Sequence, residues 1–107
     1  MPKGYWIANA EVTDADGYQR YIEANAEPFA KYGARFLVRN GDFECVEGAS
    51  RSRQVVIEFP TFEAALACYN SGEYQEAKAL RQNASEADVV IVEGYDDAVS
   101  ARAPQED

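Results

Sequence analysis

The chain has 107 residues, of which 47% are apolar and 27% charged, a composition typical of one small globular domain. Its formal net charge of −9 argues against nucleic acid as a partner, because phosphate binding depends on clustered lysines and arginines. No apolar run approaches the roughly 20 residues needed to cross a bilayer, so we expect a soluble, cytoplasmic protein with no membrane partner.

The first half of the chain predicts a strand, a helix and a second strand. Residues 4–12 alternate apolar and polar side chains, with one wholly apolar face, which predicts a strand. Helical spacing over residues 14–32 predicts a helix that starts at a capping box on Thr13 and is bent or interrupted by Pro28. Period-two alternation resumes over 34–39 and predicts a strand that continues through 43–48 beyond a turn.

The second half repeats the pattern of strand, helix and strand. Its elements are a β-branched strand at 53–59, a helix capped by Thr61, a break at Ser71-Gly72, a second helical piece at 73–84, and an apolar strand at 87–95 typical of a sheet interior. The order is β-α-β-β-α-β, which predicts an α+β, ferredoxin-like fold with an antiparallel four-stranded sheet. Residues 1–95 form this domain, and the acidic residues 96–107 are expected to be a mobile tail.

The predicted strands are apolar on more than one face. Helices can cover one face of a four-stranded sheet, and the other face then stays open to water unless something packs on it. We therefore expect a homodimer in which two sheets press together.

The chain contains no histidine and two cysteines, Cys45 and Cys68. Histidine is the commonest metal ligand and general base, and the two cysteines lack the spacing of a metal-ligand motif. We expect both cysteines to be free, buried thiols. The sequence thus predicts neither a metal site nor a cofactor.

Three segments carry a family resemblance. The stretches "YGARFLVRNG", "VVIEFPTFEAALACYNSGEYQEAKALR" and "VEGY" resemble, in this order, the family called domain of unknown function 1330 over about residues 4–95. The chain departs from the usual pattern at Ala34 and Gly72, neither of which replaces a polar group. The resemblance implies a dimeric α/β barrel of ferredoxin-like subunits, similar in architecture to small monooxygenases and muconolactone-type isomerases. It implies no activity.

Two arginines, Arg35 and Arg39, are predicted on one face of the second strand, on the same side as Leu37. They either form ion pairs with Glu58 or Glu93, or border a cavity between sheet and helices and receive a carboxylate or enolate oxygen. Each of the two glutamates is either a counterion of these arginines or a general base whose pKa is raised by burial.

A second cluster lies on the predicted helices. Tyr74 and Arg81 are seven residues apart and share a helix face, and Tyr69 ends the preceding helix. They either pack as amphipathic core residues or form a polar lip over an apolar pocket. Asn9 on the first strand either bonds to backbone or is a polar group inside that pocket.

These groups suit proton transfer next to a carbonyl, with an arginine to hold the oxyanion and a carboxylate or tyrosine as acid or base. The sequence leads to a cofactor-independent small-molecule enzyme, isomerase-like or monooxygenase-like, acting on a small carboxylate or enolisable carbonyl compound. The alternative is a non-catalytic ligand-binding, structural or regulatory homodimer. The candidate catalytic residues are Arg39, Glu58, Tyr69 and Tyr74, and the candidate ligand-binding residues are Asn9, Arg35, Arg81 and Glu93.

Overall fold

A computed structural model of the protein describes residues 2–96. The elements, in chain order, are β1 (Gly4–Val12), α1 (Ala15–Lys31), β2 (Arg35–Arg39), β3 (Arg53–Phe59), α2 (Phe62–Asn70), α3 (Gly72–Gln82) and β4 (Ser85–Glu93). The strands form one antiparallel sheet in the order β2-β3-β1-β4. The predicted α+β, ferredoxin-like β-α-β-β-α-β order is confirmed, and two consecutive helices fill its second helical position. The predicted tail beyond residue 96 lies outside the described residues.

Helix ends follow from capping side chains. The Asp14 carboxylate, rather than the predicted Thr13, begins α1 by accepting a hydrogen bond from the Gly17 amide at 3.2 Å. Pro28 lies within α1 and does not interrupt it, since the helix continues to Lys31. The missing proline amide costs the helix one hydrogen bond to the carbonyl four residues earlier. The predicted break between the two later helices is confirmed at Ser71, whose hydroxyl accepts a hydrogen bond from the Tyr74 amide at 3.1 Å.

The sheet has an inner face toward the helices and an outer face away from them. On β1 the inner face carries Trp6 and Ala10, which are buried, whereas Ile7 on the outer face is 46% exposed. The predicted interior position of the last strand is wrong, since β4 lies at a sheet edge. Its apolar run arises because both of its faces carry apolar residues: Ile91 packs on the core and Val90 is 57% exposed on the outer face.

Aromatic side chains build the core between the inner face and the helices. The ring centre of Trp6 lies 4.9 Å from that of Tyr74 and 5.2 Å from that of Phe29. The Trp6 indole nitrogen donates a hydrogen bond to the Ala65 carbonyl at 2.9 Å, so its polar atom is satisfied inside the core. Cys68, as predicted, is a buried free thiol.

The connection between β2 and β3 is a long exposed loop, residues 40–52. The predicted continuation of the strand through 43–48 is wrong, because β2 ends at Arg39 and β3 begins only at Arg53, and the segment between them pairs with no strand of the sheet. Cys45 is consequently exposed rather than buried. Within residues 2–96, none of the helices combines the length and the apolar character that crossing a membrane requires.

Candidate functional site

A cavity lies between the inner face of the sheet and helices α1 and α3. The space that the centre of a water molecule can occupy in it is about 40 Å³. Aromatic and aliphatic side chains form most of its wall, including Trp6, Phe29 and Phe36. Polar groups are few, and they are the side chains of Tyr18, Tyr21, Asn25, Arg39, Arg53, Tyr74 and Arg81. This combination of an apolar wall and a few polar groups is typical of a small-molecule site.

Three arginines reach the cavity from three different elements. Arg39 ends β2, and its guanidinium carbon lies 4.0 Å from the ring centre of Phe36. Arg53 begins β3, on the inner face, with its guanidinium 5.1 Å from the ring centre of Tyr18. Arg81 lies in the last turn of α3 and is only 8% exposed. The fold thus gathers three positive charges that are far apart in the sequence.

No carboxylate lines the cavity in the described part of the chain. The ion pairs found within residues 2–96 use Lys3, Lys31 and Arg51 as their cations, and none uses an arginine of the cavity. The Nε atoms of Arg53 and Arg81 are buried without a hydrogen-bond partner. The cavity therefore holds guanidinium charge that no carboxylate among residues 2–96 neutralises.

Burial keeps the hydroxyls of two cavity tyrosines, Tyr18 and Tyr74, in the neutral form near pH 7. The hydroxyl oxygens of Tyr21 and Tyr74 share a hydrogen bond of 2.8 Å. Burial raises the pKa of Tyr74. The neighbouring Tyr21 raises this pKa further, while the nearby Arg81 lowers it. Burial likewise raises the pKa of Tyr18. These tyrosines can donate hydrogen bonds or protons to a ligand, but they are poor bases at neutral pH.

The predicted placement of Arg35 and Arg39 on one face is wrong. The register of β2 against β3 shifts between Phe36 and Val38, which is the mark of a β-bulge at Leu37. Arg35 lies opposite Glu58 on the outer face, whereas Arg39 lies opposite Val55, a residue that lines the cavity. The extra residue turns the end of the strand over, and only Arg39 reaches the cavity.

Neither glutamate reaches the cavity. Glu58 accepts a hydrogen bond from the Tyr5 hydroxyl at 3.1 Å and lies 3.9 Å from the Lys3 amine. It shares the outer face with Tyr5, because the two residues pair across β1 and β3. Glu93 is exposed at the end of β4, away from the cavity-lining Ala87 and Val89 near the start of that strand. Neither carboxylate is placed to serve as a base in the cavity or as a counterion of Arg39.

Two further predicted residues lie at the margins. Asn9 touches the cavity, but it pairs with Gln54 and Asp88 across the sheet, and strand alternation places its side chain on the outer face. Tyr69 packs on Trp6 at 5.7 Å between ring centres and lines an adjoining open groove of about 320 Å³, which shares Arg81, Ala87 and Val89 with the cavity. Of the eight predicted residues, the cavity brings together the side chains of three, namely Arg39, Tyr74 and Arg81.

Four side chains of the cavity were missed by sequence reasoning, and most had a readable signal. Tyr18, Tyr21 and Asn25 recur at i, i+3 and i+7 on α1, so they share one helix face. Arg53 stands two residues before Val55 and extends the inner-face alternation of β3 by one position.

Groups of three or more acidic, cysteine or histidine side chains that could hold a metal do not occur in residues 2–96. The absence of a cofactor stays a prediction.

Solved structures of other proteins share this fold. The RPA0582 protein of unknown function from Rhodopseudomonas palustris is similar at 14% sequence identity and a TM-score of 0.71, with 89% of this chain and 84% of that chain covered. SnoaB, a cofactor-independent oxygenase from Streptomyces nogalater, is similar at 9% identity and a TM-score of 0.61, with 90% of this chain and 96% of that chain covered. These likenesses show the fold, which is that of the ferredoxin-like dimeric α/β barrel proteins.

No curated protein matches the chain. Residues 3–95, nearly the whole described chain, match the family described as Domain of unknown function (DUF1330). The match confirms the resemblance carried by the three sequence stretches, and this protein therefore belongs to the DUF1330 family.

Proposed function

We propose that the cavity binds a small organic anion with an apolar or aromatic body, either a carboxylate or the enolate of a carbonyl compound. The observation that carries this proposal is the set of three guanidinium groups, Arg39, Arg53 and Arg81, around a cavity whose described lining has no acid. A buried cation is costly unless an anion neutralises it, and a guanidinium offers a planar fork of donors that matches a carboxylate. A ligand anion is the group that completes this site.

The same arrangement supports cofactor-independent catalysis on an enolisable substrate. Guanidinium groups and neutral tyrosine hydroxyls stabilise an oxyanion as it forms, which lowers the barrier to removing a proton beside a carbonyl. Tyr74, held by Tyr21 at 2.8 Å, is a candidate proton donor or orienting group. SnoaB, a cofactor-independent oxygenase, has the same fold, and this likeness supports the enzyme class by analogy.

A second candidate function is ligand binding without turnover. The observation that favours it is that the described lining offers no carboxylate, and that burial raises the pKa of Tyr74 and so disfavours the tyrosinate that a base would require. An enzyme would then need its base from the substrate or from water. Proton-to-deuterium exchange of an enolisable ketone such as acetoacetate, followed by NMR in heavy water, separates the two: a rate above the buffer rate that Arg53→Met abolishes identifies an enzyme.

The anion site can be tested through the protein's single tryptophan, Trp6, which lines the cavity and serves as an intrinsic fluorescence probe. We expect benzoate to change its emission and Arg53→Met to weaken benzoate binding about 10-fold to 100-fold, the scale of a hydrogen bond to a charged group. The matched control is Arg20→Met, which removes an exposed arginine on α1. Equal affinity in wild type and Arg53→Met would overturn the proposal.

We also propose that the protein is a homodimer joined through its outer sheet face. Ile7, Val90 and Val92 on this face are 40% to 57% exposed, and Val56, which pairs with Ile7 from β3, is half-buried. An apolar sheet face of this kind is typically covered by a second layer, and a second copy of the sheet supplies one.

A further inference from the structure

One polar atom of the cavity differs from all the others, the side-chain oxygen of Asn25. Asn25 is only 4% exposed, and its Oδ1 is buried without a hydrogen-bond partner. It lies one helical turn after Tyr21 and two turns after Tyr18, on the face of α1 that lines the cavity. The arginine side chains around it can only donate hydrogen bonds and the tyrosine hydroxyls can donate or accept, whereas this oxygen can only accept.

The neighbouring donors do not satisfy this acceptor. The hydroxyl of Tyr21, one turn away, shares its hydrogen bond with Tyr74 at 2.8 Å. The guanidinium nitrogens of Arg53 and Arg81 line the same cavity, yet their buried Nε atoms are themselves without a partner. A buried acceptor left unpaired is unfavourable, and such groups in native proteins call for an explanation.

We propose that Asn25 is a specificity-determining residue that selects ligands carrying a hydrogen-bond donor in addition to their anionic group. This inference rests on the proposed function and narrows it. The cavity offers guanidinium donors and one acceptor without a partner. A matching ligand has an anionic oxygen at one point and a hydroxyl or N–H group at another. Given the aromatic wall, a hydroxylated aromatic acid is the ligand class that fits these features best.

A ligand that carries a hydroxyl should bind more tightly, because a ligand without one leaves the Asn25 oxygen buried and unpaired. Sites built to bond a substrate hydroxyl discriminate strongly against analogues that lack it, since the polar group of the site is then desolvated without compensation. In the empty cavity a water molecule can donate a hydrogen bond to the Asn25 oxygen. A ligand without a donor would displace this water and leave the oxygen without a hydrogen bond.

The test compares hydroxybenzoates with fluorobenzoates of the same substitution pattern by isothermal titration calorimetry. Fluorine is close to a hydroxyl in size but donates no hydrogen bond. We expect 3-hydroxybenzoate or 4-hydroxybenzoate to bind wild-type protein about 10-fold to 100-fold more tightly than its fluoro analogue. In Asn25→Leu and Asn25→Ala the ratio of the two affinities should fall to about 1. Two variants are used because leucine can crowd the cavity whereas alanine cannot.

Thermal melting of the same variants separates specificity from structure. A specificity role predicts that Asn25→Leu melts no lower than wild type, because the substitution removes an unpaired acceptor. Equal loss of affinity for both ligands, together with a lower melting temperature, would overturn the inference and leave Asn25 as a structural residue.

The failure of this inference can be distinguished from that of the anion site. A hydroxy-to-fluoro ratio near 1 in wild type, with affinities that still depend on Arg53, contradicts the role of Asn25 and leaves the anion site standing. Binding of no benzoate derivative at all contradicts both.

Discussion

The two faces of the sheet are built from the same alternating strands but differ in how their charged side chains are paired. On the inner face, Arg53 extends the row that contains Ile57. Its guanidinium lies 5.1 Å from the ring centre of Tyr18, and no carboxylate among residues 2–96 pairs with it. On the outer face, Glu58 is bonded by Tyr5 at 3.1 Å and faces Lys3. Glu58 on the outer face thus has bonding partners, whereas Arg53 on the inner face has no acidic partner among residues 2–96.

This contrast shows that an ion pair and an anion site can be told apart by what surrounds the charge. The bulge at Leu37 sends Arg35 to the outer face and Arg39 to the inner one, although the two residues are four apart on one strand. We interpret the inner arginines as ligand groups and the outer apolar surface as an association surface. The following predictions challenge each half of that interpretation.

The largest expected effect concerns folding, which we assign to the inner face. Ile57 is 3% exposed in the aromatic core, and Ile57→Ala should lower the free energy of unfolding by about 2–5 kcal/mol. Urea denaturation followed by circular dichroism measures this. The control is Leu80→Ala on the exposed surface of α3, which should change stability by less than about 1 kcal/mol. Similar losses in both variants would contradict the assignment of the core.

Association, in contrast, is assigned to the outer face. Light scattering should give wild type about twice the chain mass of 11.9 kDa. Val90→Lys places a charge within the apolar surface and should yield a folded monomer, because burying an unpaired charge in an interface is strongly unfavourable. Ala79→Lys, on an exposed position of α3, is the control and should remain dimeric. A Val90→Lys protein that keeps the doubled mass would remove the outer face as the interface.

Alkaline stability should depend on the buried thiol. Burial raises the pKa of Cys68 to about 12 from an ordinary value of 9.0. Between these values the unfolded chain has lost the thiol proton and the folded chain has kept it, so stability falls as pH rises, by up to about 1.4 kcal/mol per pH unit. Cys68→Ala should show a shallower decrease of melting temperature between pH 9 and 11 (about the window set by those pKa values).

Thiol labelling gives the companion measurement. Cys45 is exposed, and a disulfide reagent should modify it rapidly in the native protein. Cys68 should react only when the protein unfolds. Two fast thiols per chain would show that the core around Cys68 is open, and Cys45→Ala identifies which thiol is modified first.

The smallest effect separates the two arginines of the bulged strand. Arg39 is exposed at the margin of the cavity. Arg39→Lys should therefore weaken benzoate binding by about 1 kcal/mol, because lysine lacks the planar pair of donors of a guanidinium group. Arg35→Lys, on the outer face, should leave benzoate affinity unchanged. Equal losses in the two variants would mean that the bulge does not divide the arginines in solution.

Much of the fold was predictable because it follows from local patterns. Thr61 and Ser71 cap helices as their side chains predict, and the β-α-β-β-α-β order follows from the alternation of periods two and 3.6. The loop at 40–52 was mispredicted in part, since an alternating segment forms a strand only if another strand is available to pair with it.

The site was only partly predictable. Counting by twos along a strand assumes an unbroken ladder, and the bulge at Leu37 breaks it without any local glycine or proline to announce it. Glu58 and Arg53 belong to one strand of alternating residues, and their faces could have been assigned by parity once the apolar inner row was fixed. That Arg81 has no acidic partner among residues 2–96 depends on all neighbouring elements at once, and no local pattern encodes it.

The most direct test of the account is the thermal melting of Arg81→Met with and without benzoate. We expect two changes together: benzoate raises the melting temperature of wild type but not of the variant, and the variant without ligand melts higher than wild type. The second change follows because methionine removes a buried charge that no acid in the described chain neutralises. A variant that melts well below wild type and still responds to benzoate would contradict the account, because Arg81 would then be a structural residue and the anion would bind elsewhere.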